Sequence, residues 1–537
     1  MAQVRTMTRR GVRPLGAVVL AAGLAMTACT TDGTGGGGNA AGTTPGSTPA
    51  AEGRPATLDA AQVEAATGQL DAIVGDAMER TGVPGVAVAV VHDDQVVFAK
   101  GYGVRNAEGT DAVDAQTVFQ IASMSKPISS TVVSGEVGKG TIAWEEPVSE
   151  QTDSFELADP WVSEHMTYAD LFSMRTGLPG AAGNELEAIG YDRAEILRRL
   201  RLVELAPFRD TYSYSNFGLT AGGELAAEAA GTTWEELAES VLFEPAGMTS
   251  TSARHDDFVA RDNRADLHVE IGGTWTPAFE RLPDAQAPAG GVSSNVEDLA
   301  RWIRLLLADG KLDGEQIIDG DALVDATTPR IVSRPAAVLG GQPGFYALGW
   351  STETDALGYR RLNHSGAFSV GAATTAVLIP ELDLGIVVLT NGMPIGVPEA
   401  IADAFLEQAI TGTTSQDYLD VWGQRFANIY GEPLELPATT NTPARDDAAY
   451  VGTYTNEYVG DVEVVVDGDG LAILEGPDKM RFPLEHHDAD LFTYAQSPEL
   501  PDFPTSVAFT VGPDGVATAV EISTFADVGQ GTLTRVN

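Results

Sequence analysis

The chain has 537 residues, a formal net charge of −44, 43% hydrophobic residues and one cysteine. That length exceeds one small core and points to two or three folded units. The acidic excess argues against nucleic acid and anionic lipid as partners, and the single cysteine rules out an intrachain disulfide or a thiolate metal site.

Residues 1–28 read as an export signal. Arg5, Arg9, Arg10 and Arg13 precede an apolar run over 15–26, shorter than the roughly 20 residues that span a bilayer. Thr8-Arg9-Arg10 leaves both the general and the twin-arginine export routes open. Met26-Thr27-Ala28-Cys29 resembles a bacterial lipobox, with Met26 where leucine is usual. The resemblance implies a lipidated Cys29, an extracytoplasmic location and a membrane contact through that anchor only. Residues 29–57 are rich in Thr, Gly, Ala and Pro and read as a flexible tether.

Folding is expected to start near Thr57, as the cap of a helix with Val63, Leu70, Ile73, Val74 and Ala77 on its apolar positions, ending at Gly82 and Pro84. Residues 86–91 form a buried strand that turns at Asp93-Asp94 and returns over 96–102. A largely helical stretch fills roughly 123–330. A second hairpin, 374–379 with 384–390, and a helix over 399–410 follow. Strands at both ends and helices between them predict an α+β domain over 58–412, an antiparallel sheet flanked by helices with an inserted helical lobe. After a connector over 413–445, short strands at 462–466, 471–474, 491–494, 506–511 and 516–522, separated by turn residues, predict an all-β barrel or sandwich over 446–537. That unit is expected to carry no chemistry, and His486-His487 reads as a loop pair rather than a metal site.

The chemistry gathers at Ser123-Met124-Ser125-Lys126, which follows a strand-like stretch and opens a helix with Ile128, Val132, Val133 and Val137 on its apolar positions. Pro127 is tolerated there only because it lies in the first turn. Residues three apart on a helix have Cβ atoms about 5–6 Å apart, so a hydroxyl is set beside an amine. The free N–H groups of a helix start also favour an alkoxide or oxyanion. Further along come Tyr212-Ser213-Tyr214-Ser215-Asn216 and Asn363-His364-Ser365-Gly366-Ala367. No Gly-x-Ser-x-Gly, His-Glu-x-x-His or P-loop competes with these, and nothing calls for a cofactor.

Ser-x-x-Lys, then Tyr-x-Asn, then a His-x-Gly triplet, in that order, resembles the serine beta-lactamase and penicillin-binding family in its class C and D,D-carboxypeptidase branch. Flanking stretches agree: Phe119-Gln120-Ile121-Ala122, Thr176-Gly177-Leu178-Pro179, Pro288-Ala289-Gly290-Gly291 and Tyr346-Ala347-Leu348-Gly349-Trp350. Met174-Arg175 stands where many relatives carry His-Thr and reads as structural. The C-terminal unit resembles the lipocalin-like β-domain that follows many such hydrolases. The resemblance implies that Ser123 is the nucleophile, with Lys126 and Tyr214 as acid/base partners in an order left open. It also implies that the N–H groups of Ser123 and Ala367 form an oxyanion hole, and that Asn216, Ser365, Gly366 and Ala367 bind substrate. His364 replaces a lysine. Histidine titrates near 6.5 unless shifted, so an activity limb between about pH 5.5 and 7.5 is expected from it. The implied substrate is a small molecule or peptide: an ester, a D-amino-acid peptide or a beta-lactam. The alternative is a surface lipoprotein that binds a peptide or protein through a relic site.

Overall fold

The structure, a computed structural model, describes residues 55–536 apart from 153, 432, 433, 469, 498 and 501. The export signal and Cys29 lie outside the described residues.

Valine and alanine alternate along β1 (Gly85–His92), so both of its faces are apolar and the strand is buried throughout. It turns into β2 (Gln95–Gly103) through Asp93 and Asp94, both at positive φ. Two such residues give a hairpin turn whose twist matches the strands. The sheet continues with β3 (Ile331–Arg334), β4 (Gly344–Tyr346), β5 (Ser351–Thr354), β6 (Arg360–Phe368), β7 (Ala372–Ile379) and β8 (Leu384–Thr390). Its order is β2-β1-β8-β7-β6-β5-β4-β3, antiparallel at every pairing.

The main helices are α1 (Ala60–Thr67), α2 (Leu70–Thr81), α3 (Ser125–Lys139), α4 (Asn184–Ala188), α5 (Asn216–Ala230), α6 (Val296–Leu307), α7 (Val397–Thr411) and α8 (Tyr418–Phe426). Val86, Val88 and Val90 pack with α1, α2 and α7 on one face of the sheet. Ala87, Ala89 and Val91 pack into the larger core of α3, α5 and α6 on the other. Trp302 of α6 stacks on Trp350 with centroids 5.5 Å apart and donates to the Thr131 hydroxyl at 3.1 Å, tying α6 to α3.

The start of the fold differs from expectation in two respects. Two helices replace one, broken at Gly68, and the cap is Asp59 rather than Thr57. Asp59 accepts from the Gln62 N–H at 2.8 Å while Gln62 reaches back to the Asp59 N–H, a reciprocal pair that Thr57 stands too early to make. Within the stretch expected as a connector, α8 packs against α7.

The C-terminal unit is a closed eight-stranded barrel: β9 (Gly452–Asn456), β10 (Gly460–Asp467), β11 (Gly470–Glu475), β12 (Met480–Asp488), β13 (Leu491–Tyr494), β14 (Thr505–Val511), β15 (Ala517–Ile522) and β16 (Thr532–Val536). Alternate residues such as Val462, Val464, Leu471, Ile473, Phe482 and Leu484 fill it. His486 and His487 lie on β12, not in a loop, with ring nitrogens on the carbonyls of Ala489 and Pro437. That strand is hidden in the sequence by Pro483 and by a charged outer face.

One buried ion cluster sets the approach to Tyr214. Asp170 is fully buried, accepts from Arg175 Nε at 2.6 Å and Arg209 Nη2 at 2.7 Å, and caps Thr167 N at 3.0 Å. Arg209 N–H then bonds the Arg175 carbonyl and Ser213 N–H the Met174 carbonyl, so Met174-Arg175 holds the segment leading to Tyr214. Burial alone would raise the Asp170 pKa, but Arg209, the Thr167 N–H and Arg175 outweigh it and hold it below 3.8. The stabilisation is therefore present above that value and lost as the pH falls through the lower folded value. Asp170→Ala is expected to cost about 3 kcal/mol at pH 7, read from urea unfolding midpoints. The gap from wild type should narrow as the pH drops below 3.8; a pH-independent gap would contradict the ion cluster as its source.

Candidate active site

Ile121 leads into a 3-10 turn, Ala122–Met124, and α3 begins only at Ser125. Ser123 therefore sits in the turn before the α-helix rather than as its first residue. Ala122 takes φ +48°, a left-handed conformation that costs a residue with a Cβ about 1 kcal/mol or more. Surrounding contacts enforce it. A two-residue ladder joins Phe119–Gln120 to Ser293–Ser294, and Thr374 Oγ1 donates to the Ile121 carbonyl at 2.8 Å. Gly366 is what lets β6 come this close: a Cβ there would stand 2.1 Å from the Ile121 carbonyl oxygen and 2.9 Å from Ser123 N. The glycine of the triplet is thus a steric requirement for bringing strand and nucleophile together.

Ser123 is partly exposed, while Lys126 on α3 is wholly buried. The Lys126 amine lies 3.0 Å from Ser123 Oγ, 2.7 Å from Asn216 Oδ1 and 3.0 Å from the Ala289 carbonyl. All three partners are neutral, and no carboxylate pairs with it among the described residues. Burial drives its pKa well below 10.5. A neutral amine has two N–H groups and one lone pair. Asn216 and Ala289 take the two N–H groups, which leaves the lone pair to the Ser123 hydroxyl.

Tyr214 precedes α5, whose first turn is capped by Ser215 through the Gly218 N–H at 3.0 Å. The Lys126 amine lies 4.7 Å from the centre of its ring. The hydroxyl is buried without a hydrogen bond of good geometry, although Ser123 is close enough to offset part of the rise that burial imposes on its pKa. Tyr214 stays a phenol at neutral pH.

His364 departs from expectation. It is buried, and burial pushes its pKa well below 6.5. Nε2 lies 3.0 Å from the Tyr346 hydroxyl and Nδ1 2.7 Å from the Ser365 carbonyl. The carbonyl can only accept, so Nδ1 carries the proton and Nε2 accepts from Tyr346. The imidazole is a fixed neutral wall and cannot supply a limb between pH 5.5 and 7.5. Ser365 departs as well: strand alternation turns its side chain to the α7 face, where Oγ donates to Thr375 Oγ1 at 3.1 Å. Its hydroxyl is not on the Ser123 side. Gly366 lies against the turn that carries Ser123, and Asn216 sits between Lys126 and Asn184.

A cleft of about 780 Å³ reaches Tyr212, Tyr214 and His364 and wraps round the edge of β6 to Ser365 and Glu399. β5 pairs with β6 only as far as Asn363, so β6 is unpaired on that side from His364 onward among the described residues. Three participants had no role assigned from the sequence: the Ala289 carbonyl and the Tyr346 hydroxyl, which lie in flanking stretches of the resemblance, and the Asn184 amide. A backbone carbonyl has no residue signature, and the other two are identified only by tertiary contact.

A family model described as Beta-lactamase matches residues 70–411, and one described as a domain of unknown function (DUF3471) matches residues 436–532. The unguisins hydrolase ungD of Aspergillus violaceofuscus is 25% identical over 505 residues, 85% of this chain and 87% of that protein. Penicillin-binding protein 4 of Amycolatopsis lactamdurans is 24% identical over 397 residues, 70% of this chain and 94% of that protein. The octameric penicillin-binding protein homologue from Pyrococcus abyssi shares the fold, with a TM-score of 0.56 at 20% identity, over 87% of this chain and 99% of its own.

Two substitutions test the protonation states. If the neutral amine is the working form, activity rises with pH through the Lys126 pKa. Lys126→Arg keeps a donor but cannot deprotonate, and should cost at least about 100-fold in kcat/KM at every pH. His364→Gln should leave the position of the rising limb unchanged; a shifted limb would mean that the imidazole titrates after all.

Proposed function

This chain belongs to the beta-lactamase family of serine hydrolases, and on that basis we propose an exported enzyme that cleaves an amide or ester bond through an acyl-Ser123 intermediate. The observation that carries the reading is the Lys126 amine, buried 3.0 Å from the Ser123 hydroxyl with no counter-charge among the described residues. A serine hydroxyl needs a base near neutrality, and a depressed lysine is one.

Ser123 Oγ attacks the substrate carbonyl as its proton passes to Lys126 Nζ. The N–H groups of Ser123 and Ala367 hold the resulting oxyanion. As the carbonyl re-forms, the bond to the leaving nitrogen or oxygen breaks. The Tyr214 hydroxyl gives that atom a proton and regains one from the Lys126 ammonium. Water then attacks the acyl-serine as its proton passes to the same neutral amine; the bond to Ser123 Oγ breaks, the ammonium returns the proton to Oγ, and the acid is released. This order makes Lys126 the base and Tyr214 the relay, which follows from the opposite directions in which burial moves their pKa values. Asn216 presents its amide beside the acyl group. The open edge of β6 suits an extended, peptide-like acyl compound, since a strand edge offers unpaired backbone groups.

Export and anchoring through Cys29 are part of the same proposal, supported by the arginine-led apolar run and the single cysteine at its end. Cys29→Ala should move the mature protein out of the detergent phase on phase separation; unchanged partitioning would point to another anchor. For the chemistry, wild-type protein should be labelled by a fluorophosphonate or a fluorescent penicillin, and Ser123→Ala by neither. Losing a nucleophile costs about 10⁴-fold or more, so near-wild-type turnover of a chromogenic ester by Ser123→Ala would sink the assignment. A wild type inert to both probes would favour a surface protein that binds through a relic site.

A further inference from the structure

The barrel touches the sheet domain through its β9–β10 turn. Tyr458 in that turn is fully buried, donates to Glu185 Oε1 and accepts from Gly183 N at 3.0 Å. Arg199 grips the Tyr458 carbonyl and Tyr191 donates to the Val459 carbonyl at 2.8 Å, so the turn is clamped on both sides. Gly183 is the cap of α4 and Glu185 its second residue. Between them stands Asn184, whose Nδ2 donates to the Gly180 carbonyl at 3.2 Å and whose Oδ1 accepts from Asn216 Nδ2 at 3.1 Å. That bond decides which end of the Asn216 amide faces the lysine. With Nδ2 spent on Asn184, Oδ1 is presented to the Lys126 amine at 2.7 Å. A flipped amide would set two N–H donors against an amine that needs an acceptor there.

We propose that Tyr458 of the barrel is a positioning residue for catalysis, holding the start of α4 so that Asn184 fixes the Asn216 amide with its oxygen towards Lys126. The proposal rests on the reading of Lys126 as the base. It assigns the C-terminal barrel a part in the chemistry that its sequence does not announce. A folded protein with the turn loosened should keep its cleft but lose alignment of the amine with Ser123. The loss should fall on the bond-making step rather than on binding.

The test uses full-length protein and a fluorophosphonate, which carries no acyl amide for Asn216 to hold. Tyr458→Phe removes only the hydroxyl. The labelling rate at saturating probe should fall about tenfold, while the half-saturating concentration stays within about twofold. Asn184→Ala should cause a similar fall, and Tyr458→Phe in that background should add nothing, because both break one chain. Gly476→Ala loosens the docking independently, since its Cβ would stand 1.7 Å from the Ile189 carbonyl oxygen, and it should slow labelling in the same way. Wild-type labelling by Tyr458→Phe, or losses that multiply in the double variant, overturn the coupling. Lys126→Arg is run alongside. Its inactivity beside a fully active Tyr458→Phe overturns the coupling alone, whereas wild-type labelling by both overturns the catalytic reading beneath it.

Discussion

Lys126 is held inside the protein with three neutral groups around its amine and, among the described residues, no carboxylate. Keeping an ammonium in such a place costs several kcal/mol, and the group escapes the cost by giving up its proton. The neutral amine then has one free lone pair, and among the described residues the hydroxyl that meets it is that of Ser123. The nearby groups follow the same logic. His364 and Tyr214 are neutral for the same reason, burial, so the base works in a pocket where its proton has few competitors.

Holding an uncompensated amine in register requires that its neighbours be over-determined. α3 is buried along most of its length. The residue ahead of Ser123 sits at φ +48°, and a strand glycine is needed for β6 to pass within contact of that turn. Asp170 and its two arginines hold the segment that delivers Tyr214. Four chain segments far apart in sequence meet here, and the eight-stranded sheet is the rigid frame that lets them. The barrel presses on the same lobe through Tyr458 and Gly476, so it shares that frame.

Much of this was legible from residue order. The alternating valines of β1, the hairpin turn at Asp93-Asp94 and the three short motifs each carry a local signal that survives folding. The serine and lysine three residues apart are brought together by helix geometry alone. What was not legible is tertiary in origin. His364 looked like a titrating group because its type suggests it, but the titration is set by neighbours from β4 and α3 that sequence distance conceals. Ser365 belonged to a motif, yet strand alternation sends its side chain to the other face of the sheet. β12 was hidden because an outward-facing proline and charged residues mask its inward Phe482 and Leu484. Asn184 and the Ala289 carbonyl have roles only through what they touch.

The chain has five lysines, and the other four are exposed. A titration of 13C-labelled lysine side chains by NMR would therefore isolate the Lys126 signal, with Lys126→Arg to assign it. The Lys126 resonance should deprotonate well below the ordinary value of 10.5, and at the pH where the rate of acylation rises. A Lys126 resonance titrating near 10.5 would mean that Lys126 is an ammonium at working pH, and that the base for Ser123 must be sought elsewhere.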